Sequence, residues 1–240
     1  MAEYQTFTEE ELDALRVLDT PTIANCLERL PIRTWDEGFM LPEIKAIAAE
    51  QETVVGYAIT LTMAAKEKSD RAISREETWQ GMIDIPSPSL FVVQDLDYPN
   101  TIGSYWGEVQ GNIGVAFGCV GAITDGGVRD LKECEEMGFA LWAKEILVSH
   151  AYVHPRSINE PVTVGGLTVN PGDLMAADRH GVVNIPFEAV REVPKIAKLE
   201  AKAEAYVIDL CQSDEELTID TLKEAMAKRS AVFSGPGAAY

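Results

Sequence analysis

The sequence contains few basic residues. Lysine and arginine together number 20 against 39 aspartates and glutamates, which gives a formal net charge of -19 at pH 7. A protein that binds nucleic acid neutralises phosphates with clustered lysines and arginines. No such cluster occurs, so we expect no nucleic-acid partner. An acidic surface favours solubility, and the alternative is a surface that binds a basic partner.

Histidine and cysteine are also scarce. The histidines are His150, His154 and His180, and the cysteines are Cys26, Cys119, Cys134 and Cys211. No two cysteines form a C-x-x-C pair, so a zinc site built from cysteine and histidine is not expected. Widely scattered cysteines are typical of reduced thiols in an intracellular protein.

Long apolar runs are absent. No stretch approaches the roughly 20 apolar residues of a membrane span, so no membrane partner is predicted. The first twelve residues are acidic and polar, unlike a signal or transit peptide. We therefore expect a cytoplasmic protein.

Several common catalytic motifs are missing as well. The sequence has no G-x-G-x-x-G, no G-x-x-x-x-G-K-[ST], no H-E-x-x-H and no G-x-S-x-G. These absences argue against a Rossmann dehydrogenase, a P-loop nucleotide-binding protein, a zinc protease and a serine esterase.

A chain of 240 residues fits one large domain or a core with appended helices. Helical patterns occupy residues 8–31 and 188–230, and extended patterns dominate from about 40 to 187. Thr20 is expected to cap the second helix, and Ser213 to cap a last helix that begins at Asp214. The long helix before it is predicted to start at Glu188. A short strand is predicted at Ala151–Val153.

The stretch from Trp106 to Phe139 carries the motifs most closely tied to chemistry. Its pattern predicts a helix at Glu108–Gly118, a buried strand at Cys119–Thr124, a tight turn at Asp125–Gly127 and a helix at Asp130–Met137. The glycines in the first helix each lower helix stability by roughly 1 kcal/mol relative to alanine. They indicate close packing of that helix on a sheet.

The start of the first helix is a candidate anion site. The first N–H groups of a helix have no intrahelical acceptor, and Gly107 allows a ligand to approach the backbone. We therefore predict that Gly107, Glu108, Val109 and Gln110 bind a carboxylate or phosphate. The alternative is an ordinary helix start, with Glu108 favouring the helix dipole.

The motif D-G-G-V-R-D places Arg129 beside Asp130. A guanidinium binds a carboxylate through two parallel hydrogen bonds, and an aspartate is a hard oxygen ligand for Mg²⁺, which retains several waters. The alternatives are structural. Asp130 and Glu133 match a helix capping box, and Arg129 can be read as a surface residue.

These motifs resemble those of a known family. W-G-E followed by D-G-G-V-R-D, and then P-G-D-L-M-A-A-D from Pro171 to Asp178, is similar to the RraA-like family. That family includes 4-hydroxy-4-methyl-2-oxoglutarate/4-carboxy-4-hydroxy-2-oxoadipate aldolases and the protein regulator of ribonuclease E activity. The resemblance covers roughly Leu18 to Glu204. It implies one domain over residues 1–240 with an α/β fold, a compact α/β/β/α sandwich of the swivelling β/β/α type with flanking N- and C-terminal helices.

The resemblance also implies a class II, metal-dependent aldolase that cleaves a 4-hydroxy-2-oxo acid to pyruvate through an enolate. Arg129 would bind the pyruvyl carboxylate or keto oxygen, and Asp130 would ligate Mg²⁺ or Mn²⁺. Glu108 would orient metal-bound water, and the amides of residues 107–110 would hold the substrate carboxylate. The same enolate chemistry would decarboxylate oxaloacetate. Family members form homotrimers or homohexamers with shared sites, so Glu204 of a neighbouring subunit is expected to add a further acid.

Two alternatives stay open. One is a regulatory protein that binds a nuclease through its acidic surface, and the other is a different metal-dependent enzyme on the same scaffold. Arg129, Asp130 and Glu108 favour an enzyme, because a pure binding protein has no need of them. The segment Ala65–Ile83 matches the family less closely and is expected to line the distal end of the substrate, so the substrate itself is left open. The histidines are less favoured as bases, and His180 is interpreted as a turn residue.

Overall fold

A computed structural model describes residues 4–48, 52–69 and 71–234 of the chain. The helices in these ranges are α1 (Glu9–Arg16), α2 (Thr20–Glu28), α3 (Arg75–Asp84), α4 (Glu108–Ala116), α5 (Leu131–Glu136), α6 (Val193–Gln212) and α7 (Ile219–Ala231), with a 3₁₀ turn at Phe187–Ala189. The strands are β1 (Lys45–Ala48), β2 (Val54–Ala64), β3 (Ser89–Asp95), β4 (Ser104–Trp106), β5 (Cys119–Val128), β6 (Ala140–Ile146), β7 (His154–Ile158), β8 (Val162–Val164), β9 (Leu167–Val169), β10 (Leu174–Asp178) and β11 (Gly181–Ile185). Each described helix is too short or too polar for a transmembrane span.

Nine of the described strands form one mixed sheet. Its central path runs β1-β6-β5-β3-β2-β10-β11, with β4 paired to β5 and β7 paired to β2. The pairs β2–β3, β3–β5 and β5–β6 are parallel, whereas β1 and β10 join the sheet antiparallel. Phe39 bridges to Val183 in β11, and the chain enters β1 shortly afterwards. One short segment therefore spans the gap between the edge strands and nearly closes the sheet.

Side chains of the sheet alternate between two cores. In β3, Phe91 and Val93 pack in the core that includes the helices, whereas Leu90 and Val92 belong to a second core. The hairpin β8–β9 contributes Val164 and its neighbours to that second core. Both faces of the central strands are thus covered, which explains the continuous apolar run of β3. The predicted α/β class, with flanking helices on a sheet core, is confirmed.

The cap of α2 differs from the prediction by one residue. Asp19 is the N-cap, and its side chain accepts the N–H of Thr22 at 2.8 Å. Thr20 is the first helical residue, and its hydroxyl donates to the buried carboxylate of Asp178 at 2.7 Å. A long-range hydrogen bond to β10 has therefore drawn the expected capping side chain away from the helix end.

The C-terminal helices begin later than predicted. α6 starts at Val193 rather than Glu188, because its proline can be accommodated only in a first turn. Thr218 caps α7, so that helix does not begin at Asp214. Ser213 instead follows α6 as its C-cap.

The predicted strand at Ala151–Val153 is a turn. Ala151 has a φ of 47°, in the left-handed region that strands do not use. The following strand, β7, begins at His154 and pairs antiparallel with β2. The turn brings this segment beside the start of β4, since the N–H of Ser104 donates to the carbonyl of Ser149 at 3.0 Å.

Candidate active site

Gly107 lies between the end of β4 and the start of α4. The preceding Trp106 is buried and packs on Phe91 with ring centroids 4.6 Å apart, which anchors this point of the chain in the core. Gly107 has an extended φ of -172°, a conformation open to any residue. An added Cβ would nevertheless lie 2.5 Å from a carboxylate oxygen of Asp130. Close approach, and not backbone conformation, requires glycine here.

Strand β5 continues through the turn predicted at Asp125–Gly127. Adjacent glycines usually mark turns, but these lie inside the sheet, where small residues allow close packing. A Cβ on Gly127 would lie 2.4 Å from the side chain of Leu147. The unbroken strand carries Arg129 to the end of β4, where its N–H donates to the carbonyl of Trp106 at 3.2 Å.

Asp130 adopts the left-handed conformation, with φ 54° and ψ 44°. A short polar side chain tolerates this region better than most. The capping box predicted with Glu133 is not formed, because the Asp130 side chain makes no capping bond to α5. Its Oδ2 instead accepts the N–H of Glu108 at 3.0 Å and lies 3.7 Å from Nε of Arg129. The two sequence motifs are therefore bonded directly to each other.

This bond changes the expected row of free amides at the start of α4. The N–H of Glu108 is occupied by Asp130, so it is not free for a ligand as predicted. Within the described parts of the chain, the N–H groups of Val109 and Gln110 have no protein acceptor. Two amides thus stay open at the positive end of the helix dipole, beside a guanidinium.

These groups line one open cavity of about 520 Å³. Gly107, Val109, Gln110, Arg129 and Asp130 all form part of its wall. Glu108 does not, and its side chain is exposed to solvent. The structure therefore brings these five predicted site residues together, with Glu108 contributing its backbone to the arrangement.

The rest of the wall comes from α3, β4, the inner part of α4, the turn before β7 and the start of β7. It includes Arg75, Trp79, Tyr105, Ile113, His150 and His154. The first two of these belong to the segment Ala65–Ile83, and its expected place at the distal end of the substrate stays a prediction. The sequence did not identify Arg75, Trp79 or Tyr105 as site residues. Arg75 and Trp79 lie in the segment Ala65–Ile83, and Tyr105 directly precedes W-G-E, and these positions were the only indication in the sequence.

The histidines fall into two groups. The Nδ1 atoms of His150 and His154 bond to main-chain carbonyl groups, the latter to that of Tyr152 at 2.8 Å, and both residues line the cavity. His180 lies elsewhere, in the turn between β10 and β11, where its ring bonds to Asp178 at 3.2 Å. This position agrees with its interpretation as a turn residue.

Another depression, of about 800 Å³, lies between β1 and the end of α5. Its wall includes Glu52, Glu135 and Glu136 and none of the motif residues. Three carboxylates would repel an anionic substrate. The smaller cavity beside Arg129 is therefore the better candidate for an active site.

A metal ion would have few protein ligands at this site. Among the described residues there is no group of three or more His, Cys, Asp or Glu side chains arranged to hold one. Asp130 uses Oδ2 for the bond to Glu108, whereas its Oδ1 makes no hydrogen bond or ion pair to these residues. One open carboxylate oxygen fits a divalent ion that keeps most of its waters, as Mg²⁺ does. It does not fit a structural site closed by protein ligands.

Glu204 lies away from this cavity within its own chain. Glu204 is on α6. Burial is the main cause of the raised pKa of the Cys26 thiol in α2, and the nearby charge of Glu204 adds to that rise. The predicted role of Glu204 therefore requires a neighbouring subunit.

Comparison with known proteins gives one family. Residues 20–184 match the family model described as RraA-like: Aldolase/RraA. Protein DlpA of Legionella pneumophila is 25% identical over 143 residues, which are 58% of this chain and 22% of that protein. A protein named putative 4-hydroxy-4-methyl-2-oxoglutarate aldolase, from Halalkalibacterium halodurans, is 27% identical over 110 residues, 45% of this chain and 52% of that protein. The chain thus spans about half the length of these relatives, or less.

The fold has a solved counterpart. The structure described as Streptomyces coelicolor RraAS2, an unusual member of the RNase ES inhibitor RraA protein family, is similar with a TM-score of 0.67 and 23% identity, over 85% of this chain and 98% of that one. The family match covers more than half of the chain and includes both motifs at the cavity, W-G-E and D-G-G-V-R-D. By this match, and with the fold in agreement, the chain belongs to the RraA-like family.

Proposed function

We propose that the protein is a divalent-metal-dependent aldolase that cleaves a 4-hydroxy-2-oxo acid to pyruvate and a second carbonyl compound. The observation that carries the proposal is the bond from Glu108 N–H to Asp130, which holds a carboxylate beside Arg129 and two open amides in one cavity. The family includes aldolases, and the relative from Halalkalibacterium halodurans has such an activity in its name.

The keto acid half of the substrate would bind at the start of α4. Its carboxylate accepts hydrogen bonds from the N–H groups of Val109 and Gln110, which the helix dipole makes favourable. The guanidinium of Arg129 binds the same carboxylate or the adjacent keto oxygen through its planar fork. The two amides are fixed by the backbone of α4, and Arg129 directly follows β5, so little backbone rearrangement is needed when substrate binds.

Cleavage then requires a stable enolate. The C4 hydroxyl loses its proton, the C3–C4 bond breaks, and its electron pair moves into the C2–C3 bond as the C2 oxygen becomes negative. Arg129 would stabilise that charge. A divalent ion at Oδ1 of Asp130 would supply further positive charge to the same oxygen. A proton added at C3 completes pyruvate, and loss of CO₂ from oxaloacetate would give the same enolate.

Glu108 is proposed to act through water. The Glu108 side chain is exposed, and the main-chain N–H of the same residue is bonded to Asp130. The side chain can therefore orient a water molecule without forming part of the cavity wall. Glu204 of a neighbouring subunit is proposed to do the same from the other side of a shared cleft. The role of Glu204 depends on a homotrimer or homohexamer, which we propose as the assembly.

A regulatory role is the second candidate. The net charge of -19 and the similarity of the fold to RraAS2 favour it. Such a protein would bind a ribonuclease E-type nuclease through its acidic surface and would have no use for Arg129 or Asp130.

A coupled assay for pyruvate release tests the enzyme proposal. The substrates are 4-hydroxy-4-methyl-2-oxoglutarate and oxaloacetate, each with Mg²⁺, with Mn²⁺ and with a chelator. We expect turnover of at least one substrate, lost on chelation. Folded protein that turns over neither substrate with either metal, yet slows RNA cleavage by the nuclease, would favour the regulatory role.

A further inference from the structure

Tyr105 has a hydroxyl group in the cavity wall that donates to no acceptor among the described residues. The other two hydroxyls of the wall are used within the chain. Ser104 donates to the carbonyl of Trp106 at 2.6 Å, and Thr78 donates to that of Ser74 at 3.0 Å. The Tyr105 hydroxyl makes no such bond and retains access to solvent, so its O–H group is available to a ligand in the cavity.

The backbone places Tyr105 on the same face of the chain as the motif residues. Gly107 is extended, and a Cβ on it would point at the carboxylate of Asp130, 2.5 Å away, and at Cγ of Arg129, 3.3 Å away. Alternate residues of an extended chain share a face, and two residues span about 7 Å. Tyr105 is two residues before Gly107, whereas the intervening Trp106 is buried in the core. The phenol therefore leaves the backbone on the face that Asp130 and Arg129 occupy.

The other titratable cations and rings of the wall are poorly suited to give up a proton. Arg75 and Arg129 stay protonated. Nδ1 of His150 and Nδ1 of His154 each bond to a main-chain carbonyl, which can only accept. Their neutral rings therefore carry the hydrogen on Nδ1 and present Nε2 as an acceptor. Tyr105 is the side chain of this wall that combines a transferable proton with a free position.

The surroundings of Tyr105 suit a proton donor. Burial raises the pKa of Tyr105 to about 12, so the phenol carries its proton at neutral pH. The positive charge of Arg75 acts in the opposite direction on that pKa and favours a phenolate once the proton has left. The ring packs edge-on against Trp106, with centroids 5.5 Å apart, which restricts its orientation.

We propose that Tyr105 is the catalytic acid that protonates the enolate at C3. The proton leaves the phenol oxygen, the electron pair of the C2–C3 double bond forms the new C–H bond, and the C2 oxygen returns to a carbonyl. The phenolate then takes a proton from water, which restores the residue. This role rests on the proposed aldolase function, because that reaction produces the enolate. It applies to the hydroxy acid and to oxaloacetate alike, since both give the same enolate.

Tyr105→Phe removes only the hydroxyl, and Tyr152→Phe is the matched control, an exposed tyrosine outside the cavity wall. With oxaloacetate and Mg²⁺, CO₂ release is compared with the appearance of keto pyruvate, which lactate dehydrogenase reduces. With pyruvate in D₂O, NMR follows exchange of the methyl hydrogens, which needs the protonation step and its reverse but no cleavage of a carbon–carbon bond. Calorimetry measures pyruvate binding, and circular dichroism melts confirm that each variant is folded.

We expect Tyr105→Phe to slow methyl exchange by roughly 10²- to 10⁴-fold, as loss of a general acid does. Its affinity for pyruvate should change by less than about 2-fold, because the ground state keeps its contacts with Arg129 and α4. CO₂ release should fall less and should precede keto pyruvate, since enolate leaves the variant unprotonated at C3. Tyr152→Phe should match the wild type. A merely structural role would lower CO₂ release and pyruvate formation together and would weaken pyruvate binding.

The two proposals fail differently. If the wild type exchanges pyruvate hydrogens through Tyr105 but cleaves neither the hydroxy acid nor oxaloacetate, the aldolase proposal is wrong and the proton donor stands. If Tyr105→Phe exchanges at the wild-type rate, or releases CO₂ and keto pyruvate in step, Tyr105 is not the donor, whatever the turnover of the wild type. A wild type that neither exchanges nor cleaves contradicts both.

Discussion

The main-chain N–H of Glu108 donates to Oδ2 of Asp130 at 3.0 Å, and this contact joins the end of β5 to the start of α4. The two residues belong to separate sequence motifs. One carboxylate oxygen of Asp130 holds the helix start in place, and the other makes no hydrogen bond or ion pair to the described residues. The open amides of Val109 and Gln110 therefore keep a fixed relation to the proposed metal ligand.

Replacing Asp130 by asparagine separates its structural role from its charge. Asparagine also tolerates the left-handed conformation, and its carbonyl oxygen can accept the same N–H. We expect Asp130→Asn to melt within a few degrees of the wild type and to lose at least about 100-fold in kcat, because it cannot hold a divalent ion as well. Activity equal to the wild type at saturating Mg²⁺ would remove Asp130 from the metal site.

Arg129 is proposed to act through two parallel donors, so lysine should not replace it. We expect Arg129→Lys to lose roughly 10- to 100-fold in kcat/KM and Arg129→Gln to lose more. Arg179→Lys, in the exposed turn between β10 and β11, serves as the control and should be unchanged. The pyruvate assay measures all three. An Arg129→Gln variant with wild-type kinetics contradicts the assigned role.

Gly107 and Gly138 give a matched pair of alanine substitutions. At Gly107 an added methyl meets the Asp130 carboxylate, so we expect a large loss of activity as the carboxylate is displaced. At Gly138 the φ is 72°, and an added Cβ would have no atom within 4 Å apart from those of its chain neighbours. That variant should lose about 1 kcal/mol of stability and keep its activity. Denaturant unfolding and the pyruvate assay, read together, distinguish the two; unchanged activity in Gly107→Ala would contradict the contact.

Asp125 gives the protein a pH-dependent stability. It is 5% exposed within β5, and its Oδ1 accepts the N–H of Asp95 at 2.7 Å. Burial raises the pKa of Asp125 from 3.8 to about 7, and the charge of Asp95 adds to this rise. Between about pH 4 and pH 7 the folded chain therefore binds more protons than the unfolded chain, so its free energy of unfolding falls as the pH rises. Above pH 7 this contribution is constant.

Asparagine at position 125 accepts the same hydrogen bond and cannot ionise. We expect Asp125→Asn to be more stable than the wild type at pH 8, by roughly 1–4 kcal/mol, and nearly equal to it at pH 4. Urea unfolding at pH 4, 6 and 8 measures the difference. A gap that does not widen with pH would show that Asp125 ionises normally in the folded state.

Mixed assemblies test the proposed contribution of Glu204 from a neighbouring subunit. Asp130→Asn and Glu204→Gln should each be poorly active when pure. Refolding the two together should restore part of the activity, because some sites then take Asp130 and Glu204 from different intact parents. Light scattering checks the homotrimer or homohexamer. Mixtures that stay at the level of the pure variants argue against a shared site.

The sequence predicted those parts of the molecule in which local pattern and tertiary surroundings agree. The apolar run at Ser89–Asp95 is a strand because both of its faces are buried. Arg129 and the amides of α4 lie together because each motif occurs at the end of a strand or the start of a helix. The positions of residues at strand ends and helix starts can be predicted from the order of the elements along the chain.

Other features depend on contacts between distant segments. The glycines at Asp125–Gly127 lie in a strand because the segment pairs with β4 and β6, and neighbouring Asp95 and Leu147 leave no room for a Cβ. The Asp130 side chain makes no capping bond to α5, and its Oδ2 instead accepts the first N–H of the distant helix α4. Arg75 joins the cavity only because α3 packs on β7. Each of these required knowledge of which elements become neighbours.

The left-handed backbone of Asp130 limits how this site can vary. Successive residues of a strand point to opposite faces, and the reversal at position 130 is what lets two consecutive side chains serve one cavity. Valine, isoleucine and threonine are poorly tolerated in that conformation. A saturation library at position 130 should therefore yield folded protein mainly from asparagine and glycine, and functional protein from aspartate alone.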